Sequence, residues 1–398
     1  MFKKSLAAVA VLGAFAASSF AADVTFYGKL DAGFKYENTE TTYTVGTTDT
    51  VEGLTLDSGV QEASRFGIKG TEDLGNGYKV GFVLENGFSG DDGSSVKNSR
   101  LFDRQAHMDL YTPYGMFVAG RTGAISQASG PFDMVFARAD AFDGGHKDVL
   151  GFAQMPKLDN MLGYKSPKFA GFQAGVVYSF KNDKDNAGDE GHSNTDHYMG
   201  LGLTYDIGAL QTAVSFEQNQ RARVASEKKV DTKIVTFGAN YDFEMFKLFA
   251  MGQVFEGMDA MGEYKYSNTK KLKMNGAGDP VLVDWTKAFG EDGVEGYALH
   301  VGTTFAALGG DWEAGIYYGD YKADVSENWG TFGNYKQVDG EYFGLAARYA
   351  YKLSARTKVM ASAGYDELTW DKHADRAATE KDFEKTRYFG RVSLVHNF

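Results

Sequence analysis

Apolar and polar residues alternate with a period of two along most of the chain. Near the N-terminus, Phe26 and Leu30 alternate with Lys29 and Lys35. Successive side chains of a β-strand point to opposite faces of the sheet, so this period predicts strands with one apolar and one polar face. The same pattern returns many times and is still present at the last residue, Phe398.

The alternation predicts an all-β protein of sixteen strands. These lie at residues 24–36, 61–72, 78–88, 101–112, 116–122, 160–166, 172–181, 196–206, 210–219, 232–243, 246–256, 295–306, 311–321, 341–351, 357–367 and 387–398. A strand that ends the chain would fray if its edge were free. We therefore expect the last strand, with Phe398, to pair with the first and close a barrel.

Two kinds of connection follow one another between the predicted strands. Short links contain the residues that tight turns require, at 73–77, 113–115, 167–171, 207–209, 308–310 and 352–355. The others are long and polar, at 37–60, 122–159, 181–195, 257–294 and 322–340. The segment 257–294 is expected to be an exposed loop, with a surface hairpin or a short helix as alternatives. Short turns at one rim and long loops at the other are typical of an antiparallel up-and-down barrel.

The period does not say which face of the strands meets water. Aromatic residues near the strand ends resemble the girdles that transmembrane barrels place at the lipid interface, and they include Tyr36, Phe88, Tyr111, Phe117, Phe172, Phe180, Tyr205, Phe216, Phe246 and Phe255. Sixteen strands also enclose a lumen too wide for side chains to fill. We therefore expect the apolar face to contact lipid and the polar face to line a water-filled passage.

Composition agrees with this architecture. The chain of 398 residues has 49 glycines and 14% aromatic residues, only 5 prolines and no cysteine. Beyond the N-terminal segment, no apolar run reaches the roughly 18 residues that a helical membrane span requires. The sequence has no phosphate-binding glycine loop, no G-x-S-x-G and no H-E-x-x-H motif, so we predict neither an enzyme nor a bound cofactor or metal.

The N-terminal segment predicts export. Two lysines precede an apolar stretch at 6–17, and a small-residue cleavage pattern ends at Ala21, as in a signal peptide. We expect a signal peptide at 1–21 and a single barrel domain at 22–398. Without residues 1–21 the chain keeps 39 basic and 53 acidic side chains, a net charge of −14, which disfavours nucleic acid as a partner.

Four segments resemble the general porins of Gram-negative outer membranes. They are VTFYGKLD at 24–31, SRFGIKGTEDLGNG at 64–77, PYGMFVAGR at 113–121 and SPKFAGF at 166–172, and the terminal Phe398 matches the assembly signal of that family. The resemblance implies an outer-membrane homotrimer of 16-stranded barrels with short periplasmic turns and long extracellular loops. It also implies contacts with outer-membrane lipid, lipopolysaccharide and the outer-membrane assembly machinery.

In such porins the third long loop folds into the lumen and narrows it, and its acidic residues face a wall of basic ones. The loop would run here from Thr122 to about Asp159. The resemblance places the basic wall at Arg65, Arg104, Arg121 and Lys165. The candidate loop acids are Asp133, Asp140, Asp143 and Asp148. Phe132, Phe136 and Phe142 are expected to pack the loop against the wall.

These features predict passive diffusion of ions and small hydrophilic solutes through a passage restricted by size and charge. The surplus of acids favours mild cation selectivity, because rings of charge bias the ions that pass. Three alternatives remain from the sequence. One is a substrate-selective porin, and another is an adhesin or structural barrel with a plugged lumen. The third, less favoured, is an outer-membrane hydrolase that would use a serine with His300 or His396 on the outer face.

Overall fold

The computed structural model describes most of the region after the predicted signal peptide. The described residues are 23–43, 48–97, 99–144, 146, 149, 151–223, 230–258, 260–261, 264–265, 270–274, 280–284, 289–325, 337–372 and 383–398. The predicted signal peptide at 1–21 and the loop acid Asp148 lie outside them. None of the helices in this described part has the length and apolarity to cross a membrane.

Strands dominate the described chain, with one short helix between the sixth and seventh. In chain order the elements are β1 (Asp23–Tyr43), β2 (Thr48–Ser58), β3 (Arg65–Gly75), β4 (Tyr78–Gly87), β5 (Gln105–Thr112), β6 (Gly115–Gly123), α1 (Phe136–Ala139), β7 (Lys157–Lys165), β8 (Phe172–Ser179), β9 (His197–Ile207), β10 (Leu210–Gln220), β11 (Thr232–Asp242), β12 (Phe246–Met258), β13 (Ala260–Met261), β14 (Tyr264–Lys265), β15 (Lys270–Met274), β16 (Pro280–Asp284), β17 (Phe289–Ala307), β18 (Gly310–Val325), β19 (Gln337–Lys352), β20 (Thr357–Lys372) and β21 (Phe383–Asn397).

The barrel is closed by its first and last strands. β1 pairs with β21 in antiparallel register from Lys29↔Asn397 to Tyr43↔Phe383. Beyond this ladder, the amide nitrogens of Gly28 and Phe398 each donate to the other residue's carbonyl oxygen, at 2.9 and 3.0 Å. Closure leaves no free edge at the chain terminus, as the sequence predicted.

The main sheet contains seventeen strands that occupy sixteen positions around the barrel. β2 pairs with the later half of β1, from Ala32↔Ser58 to Thr42↔Thr48, whereas β3 pairs with the first residues of β1, 23–29. β2 and β3 are therefore two parts of one interrupted strand. The remaining neighbours pair in chain order and all of them are antiparallel.

Exposed apolar side chains cover the outer face of the barrel. On β12, Phe246, Leu248 and Val254 are 39%, 42% and 54% exposed, whereas the interleaved Phe249 and Met251 are 6% and 4% exposed. The same alternation recurs on the other long strands. A water-soluble monomer does not expose an apolar belt of this extent, so this face is the one that contacts lipid.

The predicted strands are all present, but many of their boundaries differ, and the strands beside the predicted loop 322–340 extend into it, to Val325 and from Gln337. The prediction of a loop at 37–60 was wrong, because residues 36–43 and 48–58 continue the first hairpin. Threonines dominate this stretch and look like loop residues in a polarity pattern, yet threonine favours strands. Segment 257–294 contains two small hairpins, β13–β14 and β15–β16. Phe255, expected in the aromatic girdle, faces inward and is 5% exposed.

The second predicted strand, at 61–72, begins only at Arg65 because the chain breaks away from the sheet at 59–64. The carboxylate of Asp31 holds this break. Its Oδ2 accepts hydrogen bonds from the amide nitrogens of Gln61 and Glu62, at 2.7 and 2.5 Å. Asp31 is fully buried, so this carboxylate satisfies two backbone donors that the sheet leaves unpaired.

Removing the carboxylate of Asp31 should destabilise the barrel. We expect Asp31→Ala to lower the free energy of unfolding by about 2 kcal/mol, because it leaves buried amide groups without an acceptor. Urea unfolding of the refolded protein in lipid vesicles measures this loss. Asp49→Ala, which changes an exposed aspartate on β2, is the control and should leave stability unchanged. Equal stability of the two variants would contradict this role of Asp31.

Candidate channel constriction

A loop at 124–156 follows β6 and packs against the inner wall. Phe132, Phe136 and Phe152 are fully buried, and Phe142 is 4% exposed. The rings of Phe152 and Tyr317 lie 5.2 Å apart, with Tyr317 on β18. Phe249 and Met251 of β12, which belong to the same apolar cluster as these loop residues, alternate with the exposed lipid-facing set. The loop therefore lies within the barrel.

Glycines on the wall make room for this loop. A Cβ atom at Gly163 of β7 would lie 2.3 Å from the ring of Phe132, and one at Gly238 of β11 would lie 2.1 Å from the Cβ atom of Ala139. Neither distance is possible between real atoms. The loop can approach the wall this closely, at Phe132 and at Ala139 of α1, only because Gly163 and Gly238 carry no side chain.

Polar wall residues bind the backbone of the loop. Three wall side chains donate to loop carbonyl oxygens: Lys165 Nζ to Pro131 at 2.8 Å, Asn240 Nδ2 to Arg138 at 2.9 Å and Tyr321 Oη to Gly151 at 2.7 Å. A fourth, His300 Nε2, accepts from the amide nitrogen of Ala141 at 3.3 Å. Lys165, predicted as part of the basic wall, thus binds the backbone of the loop.

The predicted loop acids occupy different environments. Asp140 is 2% exposed, and its Oδ1 accepts hydrogen bonds from Tyr317 Oη and from the Phe142 amide, both at 3.0 Å. It fastens the loop to β18 and does not present its charge to the lumen. Asp143 is exposed and Asp133 is half-buried. These two carboxyl groups lie within hydrogen-bonding range of each other.

The raised pKa values of Asp133 and Asp143 favour one shared proton near neutral pH. Burial and the neighbouring Asp143 raise the pKa of Asp133 to about 8. Although Asp143 as a whole residue is exposed, protein atoms around its carboxyl group exclude water and raise the pKa of that group too. Two carboxylates in contact resist simultaneous ionisation. The pair therefore contributes less negative charge to the lumen at neutral pH than its two residues suggest.

The predicted basic residues also differ in their partners. Arg104 Nε donates to Glu85 Oε1 at 2.7 Å. Arg121 is 8% exposed, and its guanidinium binds Asp159 at 2.6 Å. The side chain of Arg65, in contrast, makes no hydrogen bond or ion pair with any residue that the structure describes. It is close enough to Arg104, Glu85 and Glu62 to interact with them electrostatically.

Further cations extend this wall beyond the predicted set. Lys29, opposite Arg65 in the β1–β3 register, and Lys358 of β20 both bind the carboxylate of Glu62. Arg348 of β19 binds Glu313. Counting inward positions in twos along β19 and β20 could have identified Arg348 and Lys358, which were missed.

Lys157 was also missed, because the sequence placed it in the third loop, whereas it begins β7. It lies near Arg104 and Arg121. We call the six cations the basic strip: Lys29, Arg65, Arg104, Lys157, Arg348 and Lys358. Within the described residues, five carboxylates accompany these six cations, those of Glu62, Glu85, Asp103, Asp143 and Glu313. The strip is therefore net positive.

The lipid-facing closed barrel, the inward loop and the charged lumen together define a membrane channel. The sequence matches the family model for Gram-negative porin over residues 7–369. The chain belongs to this family, and it is an outer-membrane channel of a Gram-negative bacterium.

Relatives and solved structures agree with this assignment. An outer membrane porin protein of Bordetella pertussis is 30% identical over 91% of this chain and 94% of its own. Outer membrane porin protein 32 of Delftia acidovorans is 32% identical over 62% of this chain and 68% of its own. Among solved structures, an anion-selective porin from Comamonas acidovorans has a TM-score of 0.58 at 23% identity, over 95% of this chain and 100% of its own.

The trimer form of OmpT from Vibrio cholerae has the same fold. Its TM-score is 0.58 at 16% identity, over 95% of this chain and 100% of its own. Identities this low show the fold alone.

The Asp133–Asp143 pair should make ion selectivity depend on pH. With the pKa of Asp133 raised to about 8, the pair carries less negative charge at pH 6 than at pH 9, so the anion-to-cation permeability ratio should be greater at pH 6. Reversal potentials across a salt gradient in planar bilayers measure this change.

Asp133→Asn should remove most of this pH dependence, whereas Asp189→Asn, in an exposed loop, should retain it. Asp140, Lys165 and Arg348 are the other charged groups that act on the pair. A wild-type selectivity that is the same at pH 6 and pH 9 would exclude the shared proton.

The close approach of α1 to the wall gives a steric prediction. Gly238→Val should push the loop away from β11 and change the single-channel conductance, because the new side chain occupies the position of Ala139. Gly390→Val on β21 is the control, since a Cβ atom there meets nothing within 4 Å. Identical conductance of the two variants would show that the loop does not determine the current.

Proposed function

We propose that this protein is a general diffusion channel for ions and small hydrophilic solutes, with a preference for anions. The loop at 124–156 and the basic strip form its narrowest part. The observation that carries the sign of the preference is the surplus of cations in the basic strip. Within it, the side chain of Arg65 forms no ion pair with a described residue and shares the nearby Glu85 and Glu62 with other cations. An arginine keeps its charge at every physiological pH.

The charge of the whole chain predicted cation selectivity, whereas the local charges support the opposite sign. The net charge of −12 includes loops and rims that permeating ions do not approach closely. Interactions across water weaken beyond about 8–10 Å at physiological salt. The ions in the passage therefore respond mainly to the net positive strip, and less to the loop pair that shares a proton.

The similar structure from Comamonas acidovorans is that of an anion-selective porin, which supports the proposed sign. The trimer form of OmpT from Vibrio cholerae supports a homotrimer of this chain. Association with lipopolysaccharide, outer-membrane lipid and the assembly machinery stays a prediction from the family resemblance.

The placement of the two strand histidines favours a channel over the hydrolase alternative. His300 is 2% exposed and faces inward, where its ring stacks on Tyr317 at 4.4 Å. It is therefore not on the lipid-facing side, where a lipid hydrolase would need it. His396 contacts the hydroxyl of Thr357 at 2.9 Å and has no serine partner in the described part of the chain.

Arg65 should dominate the ion preference. We expect Arg65→Ala to lower the anion-to-cation permeability ratio by about two- to fivefold, the effect of removing one unpaired charge a few ångströms from a hydrated ion. The reversal potential under a potassium chloride gradient measures this ratio.

Lys69→Ala is the matched control. It removes the same charge from the same face of β3, but at Lys69 the cation lies over the ring of Tyr27, 5.2 Å from its centroid, farther from Arg104 along the strand. Its effect should be smaller than that of Arg65→Ala. Cation selectivity in the wild type would refute the proposed sign, and equal effects of both variants would refute a dominant role of Arg65.

A further inference from the structure

Two wholly buried wall residues hold the two ends of the inward loop. Glu217 lies on β10 and is 0% exposed, and Gln253 lies on β12 and is 2% exposed. β11 separates their strands in the sheet. Neither side chain belongs to the basic strip or to its carboxylates. The burial of these two polar side chains therefore needs a structural explanation.

Glu217 binds the start of the loop. Its Oε1 accepts hydrogen bonds from the amide nitrogen of Ser126 at 3.1 Å and from Tyr198 Oη at 2.5 Å. The hydroxyl of Ser126 in turn accepts from the amide nitrogen of Met155, at 3.2 Å. The same carboxyl group therefore fixes the outgoing part of the loop and, through Ser126, the returning part.

Gln253 binds the returning part directly. Its Oε1 accepts from the amide nitrogen of Ala153 at 2.8 Å, and its Nε2 donates to the carbonyl oxygen of the same residue at 3.0 Å. Nε2 also donates to Thr236 Oγ1 on β11 at 3.0 Å. A side-chain amide that satisfies both backbone groups of one residue determines its position and its orientation.

We propose that Glu217 and Gln253 are positioning residues that set the cross-section of the channel by fixing both ends of the loop on the wall. They act on backbone atoms of the loop and touch no permeating ion. The cross-section then depends on these wall residues even where the loop side chains change. This inference rests on the proposed function, because it assumes that the loop limits the passage.

Glu217 holds the loop through the hydrogen-bond acceptor atom of its carboxyl group, and its negative charge is not required. Glu217→Gln keeps an oxygen where Ser126 and Tyr198 donate, and it should behave as the wild type. Glu217→Leu has a similar volume without an acceptor, and should release the start of the loop. Gln253→Leu removes both bonds to Ala153. Losing such bonds should raise the population of the detached loop by roughly tenfold.

The experiment measures loop mobility and passage size separately from ion selectivity. A single cysteine introduced as Ala137→Cys, at an exposed position of α1 in a chain that has no native cysteine, carries a spin label in each variant. Vesicle swelling with neutral sugars of increasing size reports the cross-section. The folded fraction is selected by its resistance to unfolding in detergent on unheated gels.

Gln253→Leu and Glu217→Leu should show a more mobile label and admit larger sugars than the wild type. Glu217→Gln should show neither change. Gln173→Ala is the control, because Gln173 of β8 donates to the turn residue Ser166 at 3.0 Å and not to the loop. If one Leu variant does not fold, the other carries the test. If neither folds, the amide-to-acid variant Gln253→Glu, which loses only the donor, should still mobilise the label.

Folded variants with wild-type label mobility and sugar size limit would overturn the proposal, as would a Glu217→Gln variant that resembles Glu217→Leu. Failure of this proposal can be told apart from failure of the proposed anion-preferring channel function. Neutral sugars report the cross-section whatever the sign of ion selectivity. If a demonstrably mobile label left sugar passage unchanged, the loop would not limit the passage, and the assumption taken from the proposed function would be the part that failed.

Discussion

A strand in hydrocarbon can place its backbone N–H and C=O groups only against another strand. This constraint explains why the first and last strands of this protein meet. β1 and β21 pair along fifteen residues, from Lys29↔Asn397 to Tyr43↔Phe383. Without this seam, every strand order in the barrel would leave two edges exposed to lipid. All other features of the molecule depend on a wall that has no edge.

A closed wall of sixteen strands encloses more space than its own side chains fill, and the loop at 124–156 occupies part of it. The loop brings apolar residues such as Phe132 and Phe136 into the barrel, where they are fully buried. The wall receives them with glycines at the contact points and with polar side chains that bind the loop backbone. The interior thus combines a packed region and a charged, water-accessible one, on different parts of the same wall.

The charged region shows why the total charge of a chain is a poor guide to its passage. Acidic residues outnumber basic ones over the whole chain, 53 to 41, yet the basic strip gathers six cations on one part of the inner wall. Carboxylates bind most of these cations, but some are shared, as Glu62 is between Lys29 and Lys358. A permeating ion therefore interacts with the small difference between the positive and negative charges of the wall. A single residue such as Arg65 is a large part of that difference.

Local pattern sufficed for the barrel itself. The period of two located all sixteen strand positions, because a strand between lipid and water must alternate, and turn residues such as Asn76 and Gly77 marked the short rim. The polarity pattern did not predict the Thr-rich end of the first hairpin, where both faces of the strands meet water. It also did not predict the interruption of a strand at residues 59–64, where the buried carboxylate of Asp31 binds the backbone. Family resemblance added Arg65 and Arg104, which lie on the inner wall.

The environments of the site residues were decided only by the tertiary structure. Asp140 and Asp143 are three positions apart in the same loop, yet one is buried against Tyr317 and the other is exposed. Glu217 and Gln253 look like ordinary inward polar residues until the loop folds onto them. Sequence determines which face of a strand a side chain occupies, because that depends on neighbours in the chain. The partners of that side chain depend on contacts between residues as far apart in the chain as Asp140 and Tyr317. Only closure of the barrel brings such residues together.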